Sequence, residues 1–411
     1  MTFVRFMVEN ARWLAGGFLL TLFSAFGQTY FISLSAGDIR SEYGLSHGEF
    51  GMIYMTATLA SAVSLTWVGR LVDRFSPFQV TLIIVPLLAA GSVAMAFSRH
   101  VLALVLVIYV LRLFGQGMMT QNALTATARW FAANRGRAVS LVALGQNAGE
   151  AMFPFIFVMA AGLIGWRMAW VAGAGLLLLV AMPAIAALYR QERKPRASDP
   201  EPKVTAPREW TRGEVARDPL FWLMLAGVMA PPFIGTTIFF HQVYLVELRG
   251  WSLDSFAASF VLMSAMTIVF ALVSGALIDR FTAVRMLPGF LIPISVACIV
   301  LALVPAGWAP FAFMSLLGVS NGFSGTLVGA LWPEIYGVRH LGAIRSFIVA
   351  FMVLSTAVGP GVTGALIDLG VSYPGQILVM GIYCIGASIV LLLASRRVRA
   401  RNAALAAGSL Q

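Results

Sequence analysis

Two stretches of the sequence decide the fold: WVGRLVDRFSP at 67–77 and VSGALIDRFTA at 273–283. Both contain the pattern Gly-x-Leu-x-Asp-Arg-Phe, so the chain carries one charged turn twice, 206 residues apart. The glycine, aspartate and arginine of the two copies are Gly69, Asp73 and Arg74, followed by Gly275, Asp279 and Arg280. A charged turn repeated between apolar stretches indicates that the chain consists of two similar halves.

The composition places most of the chain in a membrane. Of the 411 residues, 59% are hydrophobic and 11% are charged, whereas a soluble domain carries about 25% charged residues. Apolar runs of about 20 residues are long enough to cross a bilayer as helices. Twelve such runs are present, at 13–35, 50–68, 78–98, 101–126, 138–163, 168–188, 220–246, 254–276, 286–305, 308–334, 343–367 and 374–394. We therefore predict an all-α integral membrane protein with twelve transmembrane helices.

The segment between the sixth and seventh runs differs in composition. Residues 189–219 are rich in proline and charge, which is typical of a linker. The predicted organisation is a six-helix bundle at 1–188, a cytoplasmic linker at 189–219, a second six-helix bundle at 220–395 and a basic cytoplasmic tail at 396–411.

The basic residues orient the predicted spans. If both termini lie in the cytoplasm, 23 of the 28 lysines and arginines fall on cytoplasmic segments and four on the other side. Cytoplasmic loops of membrane proteins collect Lys and Arg, so this distribution predicts cytoplasmic termini and an even number of spans. The net charge of +11 is explained by topology and by contact with the lipid bilayer, and we predict no nucleic-acid partner.

Further positions keep the spacing of the charged turn. Pro154 aligns with Pro360, and Gly136 with Gly342, at the same offset of 206 residues. Because six is an even number, a duplicated six-span unit keeps its orientation in the membrane. Parallel repeats of this kind are a transporter architecture.

The sequence resembles the major facilitator superfamily over its whole length. GRLVDRF at 69–75 is similar to the signature loop of that family, and GALIDRF at 275–281 to its weaker second copy. RLFGQG at 112–117, GWRMAW at 165–170 and GPGVTG at 359–364 are further points of similarity. The resemblance implies two bundles that rock about a central site and give alternating access. It also implies a gating role for Gly69, Asp73, Arg74, Gly275, Asp279 and Arg280. The alternative is that Asp73 and Arg74 only mark a tight cytoplasmic turn.

Within that family, two segments resemble the monocarboxylate and oxalate/formate branch. They are residues 129–154 and residues 241–260. The acidic, Gly-rich opening of mammalian monocarboxylate carriers is absent, and FGQTYFISLSAG stands there instead. The Gly-Pro-x-x-Gly-Gly type motif of proton-coupled drug exporters is also missing from the fifth span, where the chain reads GQNAGEAMFP. The second departure argues against an exporter of that type.

Two charged residues lie deep inside predicted spans, where charge is costly and therefore indicates function. Arg112 lies in the fourth span and Glu150 in the fifth, both near mid-membrane. One interpretation is that the two pair and satisfy each other. The other is that Arg112 attracts an anionic substrate while Glu150, which holds its proton more tightly away from water, carries the coupling proton.

Polar side chains on otherwise apolar spans need each other, water or a ligand as partners. The family resemblance implies that spans one, four, seven and ten surround the cavity. The predicted substrate-binding residues on these spans are Gln28, Tyr30, Arg112, Gln116, Thr237, His241 and Asn321. Threonine hydroxyls also join helices, and a histidine near the end of a span is equally compatible with packing. Both interpretations therefore stay open for Thr237 and His241.

These observations predict a secondary transporter of the bacterial inner membrane. We expect it to move a small, monocarboxylate-like organic anion, with proton coupling or by exchange. The sequence has no zinc, phosphate-loop or dinucleotide motif, so we predict no enzyme activity, cofactor or metal. Two alternatives remain: an exporter of amphipathic drugs or metabolites, and a non-transporting membrane receptor on the same fold. One chain can bury its own polar sites, and we expect a monomer.

Overall fold

The computed structural model describes residues 3–131, 135–193, 209–337 and 339–408, and every regular element in these ranges is helical. Ten helices are long and apolar enough to cross a membrane, and a bent pair forms an eleventh. Together with one shorter apolar helix, they are α1 (arms Arg5–Gly27 and Thr29–Tyr43), α2 (His47–Arg74), α3 (Pro77–Phe97), α4 (Val101–Trp130), α5 (Arg135–Ile164), α6 (Trp166–Tyr189), α7 (Pro219–Phe240), α8 (Leu253–Phe281), α9 (Ile292–Leu303), α10 (Ala309–Tyr336), α11 (Leu341–Asp368) and α12 (Tyr373–Gly408). The predicted all-α membrane fold is confirmed.

The ninth predicted span is shorter than the sequence pattern indicates. Instead of one helix over 286–305, the chain forms a single turn of helix at Ala283–Met286, an irregular stretch, and then α9. The irregular stretch contains Pro288 and Gly289. Proline lacks the backbone N–H that a helix needs, and glycine lowers helix stability, so hydropathy alone overestimates the helix here.

The helices pack as two halves, α1–α6 and α7–α12. Within the halves, α1 packs on α5, α3 on α6, α8 on α10 and α9 on α12. Between the halves, α2 packs on α11 and α5 on α8. We call the side that carries the start of α1, the end of α12 and the turn at Asp73 the terminal side. The other, with the turns at 44–46 and 369–372, is the opposite side.

The outer surface of the bundle is apolar. Leu102, Leu163 and Leu179 are 85%, 81% and 79% exposed, and many other large apolar side chains are also uncovered. A helix that is apolar on all faces lies in a membrane or in a large core. These exposed side chains therefore form the lipid-facing surface.

Helix α1 breaks where its two arms meet. Residues Ser24–Gly27 tighten into a 3-10 turn, and Gln28 adopts an extended conformation with φ −84° and ψ 151°. The break lies directly against α4, because a Cβ atom on Gly27 would fall 2.6 Å from the Cα atom of Gly115. Two glycines thus allow the backbones of α1 and α4 to meet, and the Gly27 carbonyl group faces α4.

Helix α7 is interrupted at Met229, as the two prolines at 231 and 232 predict. The Met229 carbonyl oxygen accepts the backbone N–H of Phe233 at 3.1 Å and a second hydrogen bond of 3.2 Å from the Ser355 hydroxyl group on α11. Gln242–Arg249 then continues α7 as a separate short helix.

Both ends of the predicted linker contact the half next to them, while residues 194–208 lie outside the described residues. The Arg193 guanidinium donates to the Asn10 side chain at 3.1 Å. The backbone N–H of Trp210 donates to the carbonyl oxygen of Tyr336 at 3.0 Å. Residues 396–408 of the predicted tail form the last turns of α12, where Arg401 binds Asp218 at 2.6 Å.

Candidate functional site

A cavity of about 250 Å³ lies between α2, α4 and α11. It extends from Arg112 toward the terminal side as far as Leu65 and Gln121. Most of its polar lining comes from neutral groups, including Thr58, Ser61, Gln116, Thr120 and Thr356. Because Thr356 lies on α11, the cavity contacts both halves of the molecule.

Arg112 is the charged group of this cavity, and it is only 4% exposed. Its Nη1 atom donates to the Gly27 carbonyl oxygen at 3.2 Å and to Thr29 Oγ1 at 3.3 Å. Its Cζ atom lies 5.4 Å from the centre of the Tyr54 ring. Its buried Nε atom has no hydrogen-bond partner in the described chain. One edge of the guanidinium is therefore held by protein, and the other is not.

The backbone of α4 is widened at this arginine. Residues Arg112–Met119, with the sequence RLFGQGMM, form π-helical turns inside an otherwise α-helical segment. Such turns are rare and occur frequently at functional sites. The widening coincides with the break in α1, so two irregular backbone segments meet beside one buried cation. The sequence analysis identified RLFGQG as a motif but not this departure from α-helical geometry.

Glu150 does not pair with Arg112. No hydrogen bond or ion pair joins them, although both belong to the described residues. The Glu150 carboxylate accepts a hydrogen bond of 3.4 Å from Gln146, one turn earlier on α5. Arg112 and Glu150 are therefore two separate charged groups with different partners.

The predicted substrate-binding residues fall into two groups. Arg112 and Gln116 share the cavity lining. Gln28 lies at the break in α1 and is 7% exposed, and Asn321 is partly buried on α10. Neither residue is part of that lining.

The remaining three predicted residues lie in packed layers. The Tyr30 ring packs against Phe260 with 5.8 Å between ring centres. The Thr237 hydroxyl donates to the Phe233 carbonyl oxygen of its own helix at 2.7 Å. His241 Nε2 lies 3.1 Å from the Pro360 carbonyl oxygen on α11. The present geometry thus gives Tyr30, Thr237 and His241 contacts within the protein rather than with the cavity.

Several cavity residues were missed by the sequence analysis. Thr58 and Ser61 lie on α2, and Thr356 lies on α11. Tyr54 of α2 does not line the cavity, but its ring faces the Arg112 guanidinium. The family resemblance directed attention to spans one, four, seven and ten, so polar residues on spans two and eleven were not considered. The hydroxyl residues at 54, 58 and 61 fall at helical spacing, and this was the available signal.

The predicted gating residues lie at the two charged turns. Asp73 forms a short ion pair with Arg129 of α4, and Arg129 also donates to the Val72 carbonyl oxygen at 2.8 Å. The Gly69 carbonyl oxygen accepts a weak bond of 3.5 Å from Gln121. Arg74 is exposed.

In the second turn, the Arg280 guanidinium lies 5.1 Å from the centre of the Phe281 ring. A Cβ atom on Gly275 would meet nothing within 4 Å. The side chain of Asp279 lies outside the described residues.

The two halves are joined by hydrogen bonds on the opposite side. The Asp368 carboxylate of α11 accepts bonds from Ser46 Oγ, His47 N and Gly48 N at 2.6, 3.1 and 2.7 Å, all at the start of α2. The Ser33 hydroxyl donates to the Phe239 carbonyl oxygen at 2.6 Å. We call these contacts, together with the packing beneath them, the opposite-side closure. The cavity therefore lies between a closed opposite side and the terminal side.

Comparison with known proteins agrees with this architecture. Residues 17–344 match the family described as Major Facilitator Superfamily. A probable sulfoacetate transporter of Cupriavidus necator is 24% identical over 400 residues, covering 91% of each chain. The hexuronate transporter of Bacillus subtilis is 22% identical over 386 residues, covering 88% of this chain and 89% of its own. A gallate transporter of Pseudomonas putida is 27% identical over 169 residues, covering 41% of this chain and 37% of its own.

Solved structures show the same fold. A bacterial homologue of the human lysosomal transporter Spinster, described as inward-facing and unoccupied, superimposes with a TM-score of 0.73 at 17% identity. That superposition covers 96% of this chain and 98% of the other. The nucleoside transporter NupG gives a TM-score of 0.70 at 12% identity, covering 94% of this chain and 99% of its own.

Proposed function

Because this chain belongs to the Major Facilitator Superfamily, we propose that it is a secondary transporter that carries a small organic anion by alternating access. Family membership and the apolar helices make it a multi-pass transporter of the bacterial inner membrane rather than an enzyme. Three further points belong to our proposal: the substrate is an anion, its transport is coupled to protons or to exchange, and both termini lie in the cytoplasm.

The observation that carries this proposal is the unpaired edge of Arg112. A buried charge is costly unless a partner satisfies it, yet no acidic side chain in the described chain forms an ion pair with this arginine. Nη1 is held by the break in α1, whereas Nε has no hydrogen-bond partner among the described residues. A guanidinium binds a planar anion best through two parallel N–H bonds. The free edge of Arg112 is suited to that geometry.

The size and lining of the cavity narrow the substrate class. A cavity of about 250 Å³ holds a small molecule, and its one guanidinium can bind an anionic group of that molecule. Hydroxyl and amide groups around it, such as Ser61, Gln116 and Thr356, can bind further oxygen atoms of the substrate. The relatives named for sulfoacetate, hexuronate and gallate carry substrates with a sulfonate or carboxylate group. A monocarboxylate-like substrate remains our prediction within this class.

The contacts between the halves support a cycle of alternating access. A ligand shifts the equilibrium between two states only if it binds them with different affinity. Contacts with both halves, such as with Arg112 and Thr356, would give a ligand this difference. With the termini in the cytoplasm, the terminal side is the inner side and the present state is inward-facing. The turns at Gly69, Asp73 and Arg74, and at Gly275, Asp279 and Arg280, would then take part in closing the inner side.

Glu150 is our candidate for proton coupling. It is partly buried at α5, its described hydrogen bond is to neutral Gln146, and no cation compensates it in the described chain. A carboxyl group away from water binds a proton more readily than one in water.

Transport in proteoliposomes tests the anion site. Sulfoacetate, gallate, glucuronate and a short monocarboxylate would be offered to wild type, Arg112→Lys and the control Arg99→Lys, whose arginine is exposed. Lysine keeps the charge but loses the two-bond edge. We expect kcat/KM to fall by roughly 10- to 100-fold in Arg112→Lys, the factor for a charged hydrogen bond, and to stay unchanged in Arg99→Lys.

Other outcomes point to the alternatives. Equal transport by Arg112→Lys and wild type would remove Arg112 from the substrate site. Transport of amphipathic cations or neutral drugs, with no anion carried, would favour the exporter. Anion binding without transport would favour the receptor.

Coupling is tested separately with Glu150→Gln, with Glu9→Gln at the exposed Arg5–Glu9 pair as its control. We expect Glu150→Gln to lose accumulation driven by a proton gradient and to keep anion exchange, because glutamine cannot carry the proton. Accumulation equal to that of wild type would leave Glu150 without a coupling role.

A further inference from the structure

Tyr54 on α2 links the held edge of Arg112 to the rest of the protein. Its hydroxyl lies 2.5 Å from Thr29 Oγ1, and that same oxygen accepts the bond from Arg112 Nη1. The Tyr54 ring also faces the guanidinium, with 5.4 Å between Cζ and the ring centre, which adds a cation–π attraction. The residue is fully buried. Thr29 and Tyr54 therefore fix the edge of Arg112 that faces away from the substrate.

The same tyrosine ring reaches the other half of the molecule. It packs against Phe240 of α7 with 4.7 Å between ring centres, and Phe50 stacks on that phenylalanine at 5.0 Å. The next residue, His241, contacts the Pro360 carbonyl oxygen of α11. These rings form the floor of the opposite-side closure. Tyr54 thus contacts the anion site on one face and the closure between the halves on the other.

We propose that Tyr54 is a positioning residue that couples occupancy of the Arg112 site to opening of the opposite-side closure. This inference rests on the proposed function only in taking an organic anion as the ligand. Tyr54 does not line the cavity, so it acts through Arg112 and Thr29 rather than by touching the substrate.

The coupling follows from competition for one guanidinium. An anion at the free edge draws Arg112 toward the cavity and lengthens the bonds from Nη1 to Thr29 and Gly27. The Thr29 hydroxyl then loses a charged donor, and its short bond to Tyr54 is re-formed in a new geometry. Because the tyrosine ring is close-packed against Phe240, a shift of the hydroxyl disturbs the contact between α2 and α7. Packed interfaces respond to such small shifts by changing state rather than by bending.

A cysteine introduced at position 33 reports on the closure. Ser33 is fully buried between α1 and α7, and cysteine is close to serine in size. The native Cys298 and Cys384 are both buried and serve as the labelling blank. The rate of maleimide labelling at position 33 would be measured on purified protein for Ser33→Cys alone and combined with Tyr54→Phe. The matched control is Tyr109→Phe, which removes another tyrosine hydroxyl bond between α4 and α2, to Ser64 at 2.9 Å.

The first comparison needs no ligand. We expect Tyr54→Phe to raise the labelling rate at position 33 by about two- to tenfold, the factor that one net hydrogen bond contributes, and Tyr109→Phe to leave it unchanged. Thr29→Val removes the same bond from the other partner, together with the bond from Arg112 Nη1, and is expected to raise the labelling rate at least as much. In the double variant, the labelling rate should rise by less than the product of the two single increases, because both substitutions remove the bond between Thr29 and Tyr54.

The second comparison adds an anion from the transport panel, with sulfoacetate first. We expect saturating sulfoacetate to raise the labelling rate in the Ser33→Cys protein and to leave it unchanged when Tyr54→Phe is added. Calorimetry should show that Tyr54→Phe still binds sulfoacetate, with a smaller loss of affinity than Arg112→Lys. If Tyr54 served folding alone, Tyr54→Phe would not keep sulfoacetate binding while losing the response of the labelling rate to sulfoacetate.

Three results would overturn the coupling role. The first is a labelling rate at position 33 that is no higher with Tyr54→Phe than with Tyr109→Phe. The second is a labelling rate that rises with sulfoacetate in Tyr54→Phe as much as it does without that substitution. The third is a Tyr54→Phe protein that labels normally but loses as much affinity for sulfoacetate as Arg112→Lys. If the Ser33→Cys protein binds none of the anions, the proposed function fails. The anion-free rates then still decide whether Tyr54 controls the closure.

Discussion

The two ends of the α2–α11 pair differ in how closely the helices approach. On the opposite side they meet through glycines, and a Cβ atom on Gly51 would lie 2.6 Å from the Pro360 carbonyl oxygen. A Cβ atom on Gly364 would lie 3.1 Å from the Cα atom of Gly48. Toward the terminal side the same helices contribute Leu65 and Val353 to the cavity walls. One helix pair therefore forms both the closed end of the molecule and the wall of its cavity.

The carboxylates at these two ends also have different partners. Asp368 crosses between the halves and accepts three hydrogen bonds at the start of α2, where a negative charge also interacts favourably with the helix dipole. Asp73, in the repeated charged turn, pairs with Arg129 in its own half. In the present state, the acid that joins the halves is not the one in the repeated turn. If the repeated turn closes the terminal side, as we propose, the two acids act in different states of the cycle.

The closure consists of small residues and a few polar contacts. This composition suits a transporter, because a cycle needs two states of similar free energy. A change of a few kcal/mol is enough to invert their populations. Substitutions at the two ends should therefore shift the equilibrium between states rather than unfold the protein.

The largest effect is expected from Gly51→Leu. A side chain at this position has no room against Pro360 and forces α2 and α11 apart on the opposite side. Overpacking of this kind costs about 1–3 kcal/mol, or roughly 5- to 150-fold in the ratio of the two states. We expect transport to fall by that order, and the labelling rate at position 33 to rise. Both are measured in the Ser33→Cys background.

The control is Gly175→Leu on α6, where an added Cβ atom meets nothing within 4 Å. It introduces the same side chain into another membrane helix and should change neither quantity. Slow labelling at position 33 in Gly51→Leu would contradict the view that this crossing holds the opposite side closed.

A smaller effect is expected from Asp368→Asn. Asparagine keeps an acceptor for Ser46 and the backbone N–H groups but loses the charge that favours the N-terminus of α2. Because Asp368 is exposed, water screens this interaction, and a charge at a helix end contributes about 0.3–1 kcal/mol. In the Ser33→Cys background, we expect Asp368→Asn to raise the labelling rate at position 33 by about two- to fivefold at low salt, which is the factor that corresponds to this helix-end charge. In high salt the increase should be smaller, because ions screen the charge.

Asp254→Asn provides the matched control for this change. Asp254 is an exposed aspartate in the first turn of α8, also on the opposite side. Equal responses of the two variants would mean that the surface charge, and not the contact between the halves, sets the labelling rate.

The fold was predictable from the sequence because its signals are long and redundant. Apolar runs, the split of basic residues and the repeated turn each indicate helices in two similar halves. The length of the ninth helix was overestimated, because mean hydropathy stays high across Pro288 and Gly289 although these residues interrupt a helix. The irregular turns of α1 and α4 were not predicted, since glycines at 27 and 115 permit a close backbone contact without specifying it.

The candidate site was predictable only in part. A charge at bilayer depth singles out Arg112, because the cost of burying it is visible in the sequence. The partners of that charge are set by packing between helices that are distant in the sequence. Thr356 therefore carried no distinguishing signal, and the signal for Tyr54 was limited to its helical spacing from Thr58 and Ser61. Asp368 lies in the pentapeptide GALID at 364–368, which also begins the second charged turn at 275–279. That repetition was the one sequence hint to its role.

The smallest effect in the present state is expected from Asp73→Asn. The Asp73–Arg129 pair is exposed and lies within one half, and such pairs contribute about 0–1 kcal/mol. Labelling at position 33 and the thermal unfolding temperature should therefore stay close to those of the Ser33→Cys protein. If the turn helps to close the terminal side, as we propose, the transport rate should nevertheless fall, because only the other state of the cycle loses a contact. A rise in the labelling rate as large as in Asp368→Asn would show instead that both ends of α2 already act together in this state.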